Sequence, residues 1–460
     1  MADYSQNQTK STTTQSDQEK YLSARLLQMA HLKLVAASLC DKETQPRGTG
    51  LTAYFVRYKR MNVPLTTLSE GVPPPNNTIS VEQLTVTLDQ WGDVITITDV
   101  AELTTKHPLV KAATDRLSDN AQRVIDREVQ LVMLAGTNVT YGDGAVVSRS
   151  AITTSMKVTD AGIIARRIAL GNAGCPPREG PGNMDELAKG RPAKGTLLGG
   201  AKYVAVTGLE VSGDIQVTAA SQGLWVDIAR YQNANAVYNG EVGTYLNFRW
   251  VETNFMPRFS RLGDATTGPL ASGASMGSNA PTVTASITGG SLSSGTYYFK
   301  VTRIDKTRGF EEDISEERTM DIASGTSGSF SFDFSTATTG YVYNVYFGTA
   351  TGDANLKLAA QYVEAGDTVV ITDLPSSTTT APAGLNLTGP VTRIYPIYML
   401  GDQALGWVGL QDLRFYITGG EPVKGFDPLG QLRQLGYKFM GKALIKDQTR
   451  LLRWEVASNF

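Results

Sequence analysis

A chain of 460 residues with 42 basic and 44 acidic side chains has room for two to four domains, and too little net charge to seek nucleic acid or a membrane surface. Its two cysteines, Cys40 and Cys175, lie far apart and outside any CxxC spacing; they read as buried or free thiols in a reducing compartment, with a single disulfide as the alternative. No apolar run reaches the roughly 18 residues that span a bilayer, and MADYSQNQTKSTTTQ is too polar for a signal peptide, so the expectation is a soluble, cytoplasmic chain unless it leaves inside something larger.

Residues 1–18 hold almost no apolar side chains, which predicts a disordered tail. From Glu19 to Leu39 the spacing of Leu22, Leu26, Met29, Leu32, Leu34 and Val35 predicts an arm containing a helix. His31 within it reads as a packing or surface residue, since no cysteine cluster or second histidine lies nearby. Leu51–Val63 and Ile79–Asp89 alternate with period two around PLTTLSEGVPPPNNT, the pattern of a long hairpin. Its second arm sets Val81, Leu84, Val86 and Leu88 against polar residues, with one slip between Val81 and Leu84. A two-stranded ribbon is not stable alone, so it must lie on something, and a neighbouring subunit is the expected support. WGDVITITDVAELTTKHP follows as a short strand and a turn.

The longest helix is predicted over 107–136. At 100° per residue Val110, Ala113, Leu117, Ala121, Val124 and Leu131 share one face, with Ile125 and Val132 beside them. Pro108 suits a first helical position and Gly136 a stop. Asp115, Asp119 and Asp126 share a polar arc, while Arg116, Arg123 and Arg127 form an adjacent ridge in which Asp119 is set to pair with Arg123. That ridge is either a solvated face or a surface for a neighbouring subunit or a packaged polyanion. Glu128 falls on the apolar face. Burying an unpaired carboxylate is costly, so Glu128 calls for a cation from elsewhere in the fold or from another chain.

Asp160 is predicted to cap a second helix, DAGIIARRIALGNAG, stopped by Gly171 and Gly174. Residues 171–200 form a loop rich in Gly and Pro; GRPAKGT from Gly190 lacks the lysine of a phosphate loop. Ala201–Thr207 reads as a buried strand, WVDIARYQNANAVY as a polar helix, and NGEVGTYLNFRWVETN as a turn and strand, so that 160–260 form one α/β module. Residues 263–281 are a linker by composition. Seven short β segments follow, TVTASI, TYYFKVTRID, ERTMDIA, SFSFDF, YVYNVYFG, LKLAAQYV and TVVITD, the pattern of an immunoglobulin-like sandwich. Without a Cys–Trp–Cys signature, a fibronectin type III or bacterial Ig-like variant fits better. The chain closes on strand-like GYKFMGKALI and RLLRWEVAS.

Four separated motifs carry a resemblance: LSEGVPPP at the hairpin tip, LDQWGDVITITDVAE leading through HPLV into the long helix, NGEVGTYLNFRWVET, and DPLGQLRQLGYKFMGKALIKDQTRLLRWEVAS. In this order, over most of 50–260 and 395–460, they resemble tailed-phage major capsid proteins of the type named after the podovirus N4. The resemblance implies the α+β capsid fold of phage HK97: an N-terminal arm to about residue 56 and an E-loop at 57–92. It further implies a P-domain from 93–159 and 392–460 with its spine helix at 107–136, and an A-domain at 160–268. The 269–391 sandwich departs from the plain family pattern and looks like an inserted Ig-like domain displayed on an outer surface.

The implied function is a self-assembling icosahedral shell around double-stranded DNA, built in the cytoplasm of a bacterial host, with no catalytic site, cofactor, metal or membrane. The implied partners are other copies as hexamers and pentamers, DNA by non-specific proximity, a portal, and scaffolding or cement proteins, with weak host-surface or glycan contact through 269–391. On that reading Arg57, Arg60, Glu70 and Glu82 of the hairpin are candidate inter-subunit contacts, and Arg116, Arg123 and Arg127 face the shell interior or a neighbour. The competing functions are a surface adhesin and a carbohydrate hydrolase. The missing signal peptide and unpaired cysteines oppose the first; two histidines, no metal-ligand spacing and no nucleophile elbow oppose the second.

Overall fold

The computed structural model describes residues 35–46, 48–58, 61, 67, 78–104, 109–178, 202–222, 226–227, 240–261, 281–315, 317–382, 393–419 and 431–458. The predicted tail, the arm helix as far as residue 34 with His31, the hairpin tip with Arg60 and Glu70, the loop from 181 to 200 and nearly all of the 263–281 linker lie outside the described residues. Among the described residues, one compact unit gathers Gly92–Asp119 and Arg414–Lys438, and a larger one gathers the rest.

In chain order the first elements are β1 (Asp41–Thr44), β2 (Thr52–Tyr58), β3 (Val81–Thr87), β4 (Asp89–Thr98), α1 (Asp99–Thr104), α2 (Leu109–Leu134), β5 (Val139–Tyr141) and α3 (Asp160–Asn172). Then come β6 (Tyr203–Gly208), α4 (Leu209–Gln222), β7 (Val226–Asp227), β8 (Glu241–Tyr245), β9 (Phe248–Thr253) and β10 (Ser260–Arg261). Eight strands follow: β11 (Thr282–Ser286), β12 (Gly295–Asp305), β13 (Glu311–Ile314), β14 (Arg318–Ile322), β15 (Ser329–Asp333), β16 (Tyr341–Gly348), β17 (Lys357–Glu364) and β18 (Thr368–Ile371). The chain finishes with β19 (Ile394–Leu400), β20 (Leu405–Gly419), β21 (Leu432–Ile445) and β22 (Leu451–Ala457).

The larger unit is built on a seven-stranded sheet of order β5-β22-β19-β6-β9-β8-β7. Both faces of its central strands are covered: β19, IYPIYML, reads as a continuous apolar run, and β22, LLRWEVA, buries Arg453 and Glu455 as a pair 3.1 Å apart. On one face Ile397, Met399 and Trp454 pack on Ile163 and Leu170 of α3 and on Val211 and Ile215 of α4. On the other, Tyr398, Leu400, Val204 and Val251 meet Val129 and Met133 of α2 and the short segment of Val35, Ala36 and Leu39. Strands expected in a P-domain (β5, β19, β22) and in an A-domain (β6, β8, β9) therefore pair in one sheet. Residue 160 marks no break between sheets.

Three local expectations are corrected. Thr159, not Asp160, caps α3, its Oγ1 accepting from Gly162 N–H at 3.1 Å, while Asp160 Oδ1 accepts from the Tyr245 hydroxyl at 2.7 Å. Val226 and Asp227, placed by sequence in a polar helix, form a strand paired with β8, and the rest of that predicted helix lies outside the described residues. The helix of this region is instead α4, where among the described side chains Val211 and Ile215, four apart, are the buried apolar anchors of a weak helical pattern. Gly174 does end α3, with φ +67 and the following Cys175 N–H donating to Leu170 O.

All seven β segments predicted after the linker form strands, with β13 as an eighth. The sheet β11-β15-β18 faces a sheet in which β13-β12-β16-β17 are neighbours and β14 also pairs with β12. Between them lies an aromatic core of Phe299, Phe330, Phe332, Phe334, Tyr343 and Phe347. The layering is that of an immunoglobulin sandwich; the connectivity is not. The first strand, β11, pairs with the fifth, β15, whereas strand A of an immunoglobulin domain pairs with strand B.

Candidate assembly surfaces

The ribbon predicted by alternation forms, with β2 and β3 antiparallel from Thr52 opposite Thr87 to Tyr58 opposite Val81. Period two holds throughout. Ala53, Phe55, Leu84 and Val86 turn inward onto Val408, Leu410, Met440 and Leu444 of β20 and β21. The support expected from a neighbouring subunit is thus supplied on this face by the chain's own sheet. The predicted slip does not occur: Val81 is apolar and nevertheless faces outward, in step with Gln83 and Thr85.

That outward face is the unusual surface. Tyr54, Val56, Tyr58 and Val81 are 62, 60, 70 and 55 % exposed, side by side across the register, and Gln83 and Thr85 complete the face without a charge. Contiguous exposed apolar surface of this kind marks a contact site. The charges of the ribbon are on its inner side. Arg57 Nη2 meets Glu82 Oε2 at 2.6 Å, and Arg57 Nη1 meets Asp447 Oδ2 at 2.7 Å. Arg57 and Glu82, candidates for contacts between subunits, therefore pair with each other and tie the ribbon to the turn after β21.

The basic ridge of α2 does not act as one surface. Arg116 is exposed, Arg123 is half-buried, and Arg127 turns into the fold, its Nε donating to the Gly309 carbonyl of the sandwich at 2.6 Å. Glu128 is 6 % exposed, and the cation beside it belongs to its own neighbour: Arg127 Nη1 lies 3.2 Å from Glu128 Oε1. Burial pushes the Glu128 carboxyl above the usual carboxylate range, with Arg127 and Lys442 offsetting part of the push. Asp126, placed by sequence on the solvated arc with Asp115 and Asp119, is fully buried. The reason is tertiary: residues 35–40 lie across that side of the helix, and Ala37 N–H donates to Asp126 Oδ1 at 3.0 Å.

Cys40 and Cys175 are buried and free. Among the described residues no group of three or more His, Cys, Asp or Glu side chains is placed to hold a metal ion, and no helix is long and apolar enough to cross a membrane.

No protein-family profile matches the chain, and no curated protein matches it in sequence. Solved structures do. The chain is similar to the capsid of Ralstonia phage GP4, with a TM-score of 0.50 at 11% identity over 96% of both chains. It is similar to the capsid asymmetric unit of cyanophage Pam1, with a TM-score of 0.51 at 11% identity over 100% of this chain and 99% of the other. At that identity the likeness is one of fold, and it runs from end to end of the chain.

Proposed function

We propose that this chain is the major capsid protein of a tailed bacteriophage of the N4 type, assembling as hexamers and pentamers into the icosahedral shell around its double-stranded DNA. The observation that carries the reading is the end-to-end fold likeness to two phage capsid chains. The uncharged apolar face of the β2–β3 ribbon supports it, because a monomer gains nothing from leaving Tyr54, Val56, Tyr58 and Val81 in water. A symmetric assembly gives every copy of such a face a partner. The near balance of 42 basic and 44 acidic residues fits a shell that encloses DNA without binding it tightly. In this reading the E-loop is the ribbon with its tip, α2 is the spine of the P-domain, and the sandwich is displayed on the outer surface. Weak host-surface or glycan contact through the sandwich would gain from repetition over the particle. A portal and scaffolding or cement proteins complete the partners.

Val56→Lys places a charge in the middle of the exposed row without touching the inner face. The parent chain is expected to form closed particles by electron microscopy, and the variant to remain as soluble capsomers or monomers with an unchanged melting temperature. A parent chain that stays monomeric under every assembly condition overturns the reading; particles of normal yield from the variant exclude the ribbon face as the contact.

A further inference from the structure

Helix α3 is apolar on both sides. Its inward side carries Ile163 and Leu170 into the core, and with them a cation: Arg166 is buried, its Cζ 4.7 Å from the centre of the Trp454 ring and its Nη2 donating to the Gly142 carbonyl at 3.4 Å. Its outward side is Ala161, Ile164, Ala165, Ile168 and Ala169, all exposed, at the i, i+3, i+4, i+7 and i+8 positions of one helical stripe. Ile164 and Ile168 are 40 and 54 % exposed. On the same face of the seven-stranded sheet, α4 leaves Leu209 and Val217 exposed as well. Among the described side chains of the two helices, Arg167 is the one charged residue in full contact with water.

Burying a cation while wetting two isoleucines on one helix runs against the stability of a free chain. A helix that is apolar all round is one that is covered all round. The stripe has no charge of its own with which to draw nucleic acid or a charged partner. It is also small. The 13 residues of α3 make a rod ~20 Å long, and one side ~10 Å wide is ~200 Å², well under the ~800 Å² per partner that holds a free-standing complex together. A lone soluble partner would not stay on such a surface. A neighbour already held by other contacts would, and a repeated assembly supplies that neighbour to every copy.

We infer that the outer stripe of α3 is a second assembly contact, covered by a neighbouring copy of this chain and separate from the ribbon face. The inference rests on the shell reading above. In the hexamers and pentamers of that reading the contact is heterologous: the stripe of one copy meets a different surface of the next, so each stripe is covered once as the ring closes.

Two variants of the full chain test it. Cys40 and Cys175 are buried, so a thiol reagent reads an added surface cysteine against a low background. Ile164→Cys is expected to react with a maleimide in free chains and about tenfold more slowly in closed particles. Ile168→Lys is expected to leave the melting temperature of the free chain unchanged and to lower the yield of particles about tenfold, because the neighbour would have to bury the ammonium. Equal labelling rates in free chains and particles overturn the inference, and so does a full yield of particles from Ile168→Lys. A slow rate already present in the free chain overturns it too, since the stripe would then be covered by its own chain. So does a fall in melting temperature on Ile168→Lys, which would make the side chain part of the fold. A parent chain that forms no particles fails the shell reading itself, a result distinct from particles in which the stripe stays open.

Discussion

Glu128 and Asp126, two residues apart on one helix, show what a helical wheel can and cannot see. Glu128 was legible because an acid on an apolar stripe contradicts the pattern around it, and its 6 % exposure follows. Its partner was not, since Arg127 belongs on the wheel to a different face and reaches Glu128 only by folding back while its Nε holds Gly309 O. Asp126 was misread for the opposite reason: nothing in the helix says that a segment about 90 positions earlier in the chain will cover its polar arc. For Glu128 the sign of the pH effect is set by a carboxyl raised by burial. The folded chain holds that proton more tightly than the unfolded chain. The stabilisation is thus fully present below the ordinary carboxylate value and is lost as pH rises through the raised one. Glu128→Gln keeps an acceptor for Arg127 and mimics the protonated form. It is expected to be at least as stable as the parent in urea at pH 7.5, with the difference closing as the pH falls towards 4. A clear loss of stability at pH 7.5 would mean that the Arg127 pair outweighs the burial of the charge.

At the scale of elements, period-two alternation was the most reliable signal in the chain, and its single failure is informative. The two arms of the ribbon followed from it, because in a sheet one buried face forces every second residue to be apolar, whereas the seven sandwich segments followed from their close spacing. Val81 misled because an apolar side chain was taken to mark the inner face, when the outer face of this ribbon is apolar as well. The strand connectivity of the sandwich was beyond reach for a different reason: alternation fixes faces and says nothing of which strands are neighbours. The ribbon also shows how charges that look like contacts outward can be clamps inward. Arg57 joins Glu82 across the ribbon and Asp447 beyond it, with its side chain one-third exposed. Pairs exposed to that degree are screened, so Arg57→Met is expected to cost only about 1 kcal/mol in total. The loss should be local: amides of β2 and β3 exchange faster while those of β19 and β22 are unchanged. A global destabilisation seen equally in both sheets would show that the clamp holds more than the ribbon.

For the whole molecule the question is whether the sandwich is cargo or part of the frame. Its two ends say cargo: Phe259 and Ile394, which flank it, exchange two backbone hydrogen bonds of 2.9 Å, so the chain leaves and re-enters the body at one point. A short Gly/Ser turn can close that gap. The seam says frame. β10 pairs in parallel with β13, and Arg308 donates to Met256 O at 3.4 Å. The Phe310 ring packs, tilted, 5.4 Å from that of Phe255, and Ile314 is buried with Ile152, Phe259, Ile394 and Ala457. Removing the sandwich strips these contacts from Phe255 and Phe259, both fully buried in the intact chain, and leaves Arg127 without its Gly309 acceptor. Losing the cover of two aromatic side chains is worth a few kcal/mol, at roughly 1.5–3 kcal/mol for each side chain returned to water. Deleting 262–392 across a Gly/Ser bridge is therefore expected to give a body that folds with native far-ultraviolet dichroism, unfolds at a distinctly lower temperature, and still forms particles at low temperature. Phe255→Ser in the deleted chain should recover part of its solubility, and the same substitution in the full chain should destabilise it. A deleted chain that melts with the parent would show that the seam contributes nothing. One that never folds would make the sandwich a structural part of the body, despite its closed ends.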